Sequence, residues 1–267
     1  MTDLKGKCAL ITGSVQGIGL AVAEAMAEAG ARIAVHGLAT QDEAAAVCAG
    51  LLQKGAEAAE FFDADMRDPD QIETMLAAVT AWGPVDILVN NAGIQRTAAL
   101  EDVNREIWDS IIAVNLSAAY HTMHGIMPGM AERGFGRVVN IASVHGIVAS
   151  KNKLPYVASK FGLVGMSKVA ALEYADAGSK SSGGVTVNCI APGWTETAII
   201  TPQVAERAEK FGGDRDKGIA DLLSEKQPSK RTSDPSEIGA LALWLCARQA
   251  HNITGTVIPV DGGWTAQ

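Results

Sequence analysis

Tyr156 and Lys160 stand four residues apart, with Ser143 upstream of them. On a helix, positions four apart share one face, one turn from each other. Pro155, just before Tyr156, suits a helix start, and V-A-S-K-F-G-L-V-G-M-S-K-V-A-A-L can continue it as a largely apolar run. A free phenol titrates near pH 10, about three units above neutrality. An ammonium one turn away favours the phenolate and can bring the tyrosine into working range as a general base. A hydroxyl at Ser143 could hold a substrate oxygen beside it. Y-x-x-x-K occurs by chance on many helices, so the surrounding elements decide whether this pair does chemistry.

Those elements alternate. Apolar runs at 7–12, 32–36, 58–62, 85–90, 137–142, 185–190 and 255–260 read as strands. Between them lie an alanine-rich helix stopping at Gly30, helices over 40–54 and 68–82, and a long helical stretch over 104–133. The Tyr156 helix follows, and Asp234-Pro235-Ser236-Glu237 is a capping-box start for a helix to about Arg248. Strand–helix alternation throughout predicts an α/β fold: one domain over 1–267, a doubly wound parallel sheet with helices on both faces. Residues 178–184 (G-S-K-S-S-G-G) read as a polar surface loop. Residues 192–228 form a long segment after a strand, where ligands bind in such sheets, and could cover a substrate.

The 267 residues are 48% hydrophobic and 19% charged, enough apolar material for a large core, with a net charge of −8. An acidic chain without a Lys/Arg run argues against nucleic acid or an anionic membrane as partner. An anionic ligand must then be held by helix N-termini, backbone N–H groups or a few placed cations. Cys8, Cys48, Cys189 and Cys246 are far apart and form no C-x-x-C, so neither a metal site nor a redox pair is expected. M-T-D-L-K-G-K has no signal-type apolar region, and a soluble cytoplasmic protein is the expectation. Trp82, Trp108 and Trp244 fall in helical patterns and read as packing residues.

T-G-S-V-Q-G-I-G follows the first strand and opens the first helix, placing Gly13, Gly17 and Gly19 where a tight turn and a helix N-terminus can take a pyrophosphate. The spacing is G-x-x-x-G-x-G, not the common G-x-G-x-x-G. An ordinary glycine turn is the bland alternative. The acid usual after the second strand is absent, since the residues are His36, Gly37 and Leu38. No Lys or Arg stands there or at Ser14, Val15 and Gln16 to meet a 2′-phosphate, so NAD is expected over NADP. Asp65 could accept a bond from an adenine amino group, or be a solvated loop acid.

Taken in order, T-G-S-V-Q-G-I-G, N-N-A-G (90–93), Asn115, Ser143, Y-x-x-x-K and P-G-W-T-E-T (192–197) resemble the short-chain dehydrogenase/reductase family over essentially the whole chain. The resemblance implies a single-domain Rossmann fold and a homotetramer. It implies Tyr156 as general acid/base, with Lys160 lowering its pKa and binding the nicotinamide ribose. Ser143 would orient the substrate oxygen, and Asn115 would support a proton relay through water. Cofactor contacts are implied at Gly13, Ser14, Gln16, Gly17, Ile18 and Gly19, at Asp65 and Met66, at Asn91, Ala92 and Gly93, at Tyr156 and Lys160, and at Pro192, Gly193, Thr195 and Thr197.

Within the family, N-N-A-G-I-Q, N-I-A-S-V-H-G-I-V-A-S-K-N-K, L-L-S-E-K-Q-P-S and V-D-G-G-W-T-A-Q look closest to the bacterial D-3-hydroxybutyrate dehydrogenases. That resemblance implies a small hydroxyacid whose carboxylate meets Gln95, His145, Lys153 and Gln203, with Trp194 and Trp264 around its methyl end. It implies interconversion of D-3-hydroxybutyrate and acetoacetate by hydride transfer with NAD. Read as residues alone, Lys153 could be a solvated lysine, His145 a neutral donor or a cation, and the tryptophans core. The rival readings are a polyol, sugar or other hydroxyacid dehydrogenase on the same scaffold, and, more remotely, a non-catalytic dinucleotide sensor. Residues 178–184 are longer than the family leads one to expect, and lie where they would project away from the site.

Overall fold

Strand β1 (Cys8–Ile11) is buried end to end, and its side chains divide between two cores. In the computed structural model, which describes residues 2–267, Ala9 and Ile11 face one cluster and Leu10 the other. This is the period-2 alternation of a strand covered on both faces. Strand β2 (Arg32–Val35) sends Ile33 and Val35 one way and Ala34 the other. With β3 (Ala58–Phe61), β4 (Val85–Asn90), β5 (Phe135–Ile141), β6 (Gly184–Pro192) and β7 (Val257–Val260), the described residues form one seven-stranded sheet ordered β3-β2-β1-β4-β5-β6-β7. Its pairings are parallel. The fold is a Rossmann-type doubly wound sheet, and the strand order reverses between β1 and β4, which opens a crevice at their carboxyl ends.

Helices cover both faces. Val22 and Met26 of α1 (Gly17–Glu28), Leu51 of α2 (Gln41–Gln53) and Ile238 and Leu245 of α9 (Pro235–Leu245) build the first core. Ile72 and Leu76 of α3 (Pro69–Trp82), with Ile126 and Met127 of α5 (Ala118–Arg133), build the second. Asp234 with Glu237 closes the capping box the sequence predicts for α9; Thr40 and Glu43 close another on α2, and Asp68 caps α3 ahead of Pro69.

Some expectations are corrected. The stretch 104–133 is not one α-helix: α4 (Arg105–Ile112) and α5 are joined by a π turn, Ala113–Ser117, with Asn115 at its centre. Helix α9 stops at Leu245, because the Cys246 N–H folds back onto the Leu243 and Trp244 carbonyls. Trp82 does pack, edge-on to Phe62 and under Arg32. Trp108 and Trp244 do not: they are 39% and 45% exposed. The inward stripes of their helices are taken by Ile107 and Ile111, and by Ile238, Ala242 and Leu245. All four cysteines are free thiols, and Cys8, Cys189 and Cys246 are buried.

Residues 192–228 contain a 3-10 turn, Ala198–Ile200, and a helical hairpin of α7 (Thr201–Glu209) and α8 (Arg215–Ser224). Ile200, Val204 and Leu222 give it a small core of its own, joined by Trp194. Arg207 ties the hairpin together, 2.9 Å from Asp221 and 2.6 Å from Glu225. Among the described residues no helix is long and apolar enough to cross a membrane.

The 178–184 loop precedes β6, so it lies at the amino ends of the strands, away from the crevice. Arg137 of β5 anchors it. This arginine is 1% exposed, lies over the Phe135 ring and donates to the Gly136, Gly183 and Gly184 carbonyls at 2.8–3.1 Å. Arg137→Leu removes these charge-assisted bonds and leaves carbonyls unpaired. It should cost about 3 kcal/mol in denaturant unfolding, with KM values unchanged because the crevice is at the other end of the sheet.

Candidate active site

A cavity of about 640 Å³ opens at the carboxyl ends of the strands, along the β1/β4 reversal. At one end the glycine loop enters it through Gly13, Gln16, Gly17 and Ile18. Gly13 and Gly17 have φ of +66° and +57°, a region side chains rarely adopt. The first turn of α1 has no side-chain cap and no acid, so its N–H groups stay open to an anion. Ser14 and Gly19 do not line the cavity. The Ser14 hydroxyl is spent on the Ile11 and His36 carbonyls, and a Cβ on Gly19 would overlap the Gly13 carbonyl oxygen. Both shape the loop from behind. Asn91, which lines the cavity with Ala92 and Gly93, holds the loop to β4 by donating to the Thr12 and Gly13 carbonyls at 2.9 Å.

His36 has a part here that the sequence reading missed. Its Nδ1 faces the Gly13 N–H at 3.2 Å and its Nε2 the Ala64 carbonyl at 3.0 Å. Nδ1 must be the acceptor and Nε2 the donor, so the ring is neutral, and burial lowers its pKa. The signal was a histidine closing an otherwise apolar strand. Val15, Gly37 and Leu38 also line the wall, and a Cβ at Gly37 would stand 2.8 Å from a Val15 methyl. A side chain at that position would have to displace Val15. Asp65 and Met66 line the cavity, but Asp65 is forked onto the Arg67 guanidinium, which holds its carboxyl below the usual range. That pairing equally commits Arg67, the one cation the sequence reading overlooked at this end.

The other end gathers the chemistry. Tyr156 and Lys160 lie on α6 (Leu154–Glu173), with Pro155 in its first turn and Lys153 at its N-cap. Ser143 and His145 lie on the 3-10 turn after β5. All five line the cavity. Burial raises the Tyr156 pKa, and a bond from Ser143 opposes it. Lys160 is 4% exposed, donates to the Ile141 carbonyl at 2.7 Å, and its pKa is lowered by burial to about 8. Its ammonium stands 5.7 Å from the centre of the Tyr156 ring. Burial, not the lysine, is thus the largest influence on the phenol.

Asn115 does not line the main cavity. Its side chain receives the Ile94 N–H at 2.8 Å, donates to the Ile94 carbonyl at 2.9 Å and reaches Ser159 at 3.2 Å. It borders, with Lys160, a separate pocket of about 10 Å³, close to the room one water needs.

Gln95, Trp194, Gln203 and Trp264 meet around the same end, as do Pro192, Gly193, Thr195 and Thr197. Trp194 and Trp264 stack at 5.9 Å, Lys153 lies over Trp194 at 5.1 Å, and Trp264 is only 7% exposed. Burial, aided by Lys226, lowers Lys153 to about 8; burial and both lysines lower His145 to about 3, so the imidazole is neutral. Trp194 Nε1, Thr195 Oγ1 and Gln203 Oε1 are buried without a protein partner. All three residues line the cavity, and a buried polar atom without a partner calls for one.

Residues 7–208 match the short chain dehydrogenase family, and the chain belongs to that family. It is an oxidoreductase whose redox partner is a nicotinamide dinucleotide, which suits the uncapped helix start and the glycine cradle. It is 46% identical over 265 residues to a D-beta-hydroxybutyrate dehydrogenase of Cupriavidus necator, covering 99% of this chain and 100% of that one. It is 43% identical over 262 residues to one of Rhizobium meliloti, covering 98% and 99%. Its structure is similar to that of L-sorbose reductase from Gluconobacter frateurii complexed with NADPH and L-sorbose. That likeness has a TM-score of 0.91 and 29% identity, and covers 99% of this chain and 98% of that one.

Gly19→Ala tests the cradle. The added methyl has to displace Gly13, and dinucleotide affinity should fall about tenfold or more in a fluorescence titration. Unchanged affinity would mean the loop is not the pyrophosphate site.

Proposed function

We propose that the protein interconverts D-3-hydroxybutyrate and acetoacetate with NAD. One observation carries the reading: beside Ser143 and Tyr156, the cavity holds Lys153, His145, Gln95 and Gln203, with an apolar wall of Trp194 and Trp264. A buried ammonium seeks an anion, amides complete its hydrogen bonds, and stacked indoles enclose a methyl group. The two D-beta-hydroxybutyrate dehydrogenases similar to this chain along its length agree with it. The segment 192–228, carrying Trp194 and Gln203, covers the substrate. NAD rather than NADP is supported by a wall of Val15, Gly37 and Leu38 and by an Arg67 already committed to Asp65. A homotetramer is supported by exposed apolar side chains on α4, α5 and α6: Trp108, Tyr120, Phe161 and Leu172.

In oxidation, the substrate carboxylate rests on Lys153, with Gln95 and Gln203 as donors and the neutral His145 ring beside it. The Ser143 hydroxyl donates to the substrate oxygen. Tyr156, as phenolate, takes the hydroxyl proton while the carbinol carbon gives up hydride. A bound nicotinamide ring supplies the acceptor of that hydride and, when oxidised, a positive charge. Lys160 provides a fixed ammonium beside the phenolate, and the pocket it shares with Asn115 offers the proton a way out. Gly13, Gln16, Gly17 and Ile18 hold the pyrophosphate end, and Asn91, Pro192, Gly193, Thr195 and Thr197 the nicotinamide end.

Tyr156→Phe should lower kcat by about 10²–10⁴-fold while the dinucleotide still binds; near-normal turnover would remove Tyr156 from its role. NADH production with D- and L-3-hydroxybutyrate, run in parallel with NADP, tests substrate and cofactor together. Activity only on neutral polyols or sugars, the reading the L-sorbose reductase likeness favours, would overturn the substrate; in that case Lys153→Ala is silent instead of raising KM sharply.

The pH dependence follows from Lys153. Its pKa is depressed to about 8, so it is charged below that value and loses its proton above it. For an anionic substrate kcat/KM should be independent of this group below pH 8. Above pH 8 it should fall, approaching tenfold per unit, and Lys153→Ala should remove the part of that limb not carried by Lys160, which is depressed to a similar value.

A further inference from the structure

Behind the substrate end runs a chain of hydrogen bonds that ends on a lysine. Lys226, after α8, donates to Ser150 Oγ at 2.8 Å. Ser150 Oγ lies 2.9 Å from His145 Nε2, and His145 Nδ1 lies 3.3 Å from Ser143 Oγ. Ser143 Oγ also receives the His145 backbone N–H at 3.1 Å. Lys226 forms no ion pair among the described residues.

Each link restricts the next. An ammonium has three donors and no acceptor, so Ser150 must accept from Lys226. Its own proton then has His145 Nε2 as its recorded partner. A neutral imidazole that accepts at Nε2 carries its proton on Nδ1, and Nδ1–H points at Ser143 Oγ. Ser143 thus accepts on the protein side and keeps its own proton for Tyr156 and the substrate oxygen. The opposite tautomer would leave the Ser150 proton unpaired and draw the Ser143 proton onto Nδ1, away from the reacting oxygen.

We propose that Lys226 is a positioning residue which, through Ser150, holds His145 as the Nδ1–H tautomer and so keeps the Ser143 hydroxyl turned toward the substrate. The kinetic part rests on Ser143 meeting the substrate oxygen, as in the proposed function; the tautomer part does not.

The test reads the tautomer directly. In full-length protein with histidine labelled at Nδ1 with ¹⁵N, the His145 resonance, assigned by its loss in His145→Gln, should be of the protonated, pyrrole type. His36, whose Nδ1 accepts from Gly13, should show the unprotonated, pyridine type in the same spectrum. Lys226→Met and Ser150→Ala should each move His145 toward the unprotonated type, and Lys226→Arg, another pure donor, should restore it. A pyridine-type His145 in the unaltered protein, or one indifferent to both variants, overturns the proposal.

Turnover supplies the second readout. Lys226→Met and Ser150→Ala should each lower kcat about tenfold with KM for the dinucleotide unchanged, and the double variant should lose no more than either alone. Losses that multiply, or a KM effect of Lys226→Met with a silent Ser150→Ala, would make Lys226 a remote charge and sink the chain. A tautomer shift without activity on 3-hydroxybutyrate would leave this chain standing and discard the substrate reading instead.

Discussion

The end of this cavity around Tyr156 is built on buried ammonium groups that, among the described residues, have no carboxylate to balance them. Lys153 and Lys160 are 8% and 4% exposed, and burial brings each down to about 8. An uncompensated buried charge is expensive, and proteins tolerate it where something else supplies the partner. Lys160 finds the Ile141 carbonyl and Lys153 the face of Trp194. Neither is a full counter-charge. His145 gives way by staying neutral. The residual positive potential then falls where a substrate anion and a tyrosine phenolate would sit, and both would be stabilised by it. This holds although the chain as a whole carries −8: placement in a low-dielectric crevice outweighs net charge.

The scaffold's task is to hold these groups against that cost. The sheet ends supply the fixed points: Asn91 pins the glycine loop to β4, and His36 pins it to the end of β3. The π turn at Ala113–Ser117 brings Asn115 round to clasp the N–H and the carbonyl of Ile94, and the same side chain reaches α6 through Ser159. One irregular turn between α4 and α5 thereby joins the segment after β4, which carries Asn91 and Ile94, to the helix bearing Tyr156. Irregular turns of this kind survive where function requires them.

Much of this was legible in the residues. The strands and the capped helix starts follow from apolar runs, Thr40, Asp68 and Asp234, because local propensity and pattern agree there. The placing of Tyr156 beside Lys160 was legible because a helix turns spacing into adjacency. What was hidden depends on choices that spacing leaves open. Arg67 closes on Asp65 from only two residues away, a pairing the spacing allows but does not require. The outward turn of Trp108 and Trp244 depends on which helix face neighbouring residues claim. The π turn differs from an α-helix by one residue per turn, which a pattern of apolar positions does not resolve. His36 was read as the absence of an acid, whereas its function is a bond to the backbone of a loop more than twenty residues away.

The division of unpaired atoms says how the cavity gains from a ligand. The polar groups around Tyr156 are satisfied by protein: Lys160 by Ile141, Asn115 by Ile94, Ser143 by His145. The unpaired buried atoms at the cavity, Trp194 Nε1, Thr195 Oγ1 and Gln203 Oε1, all belong to 192–228. Leaving such an atom buried and unpaired costs on the order of 1–3 kcal/mol. A ligand that brought donors and acceptors within their reach would relieve that cost. Trp194 ties these atoms to the rest of the fold, since it belongs both to the hairpin's small core and to the stack with Trp264 near the end of the sequence. The polar groups around Tyr156 are thus finished by the fold, while those of 192–228 are left for something else to complete.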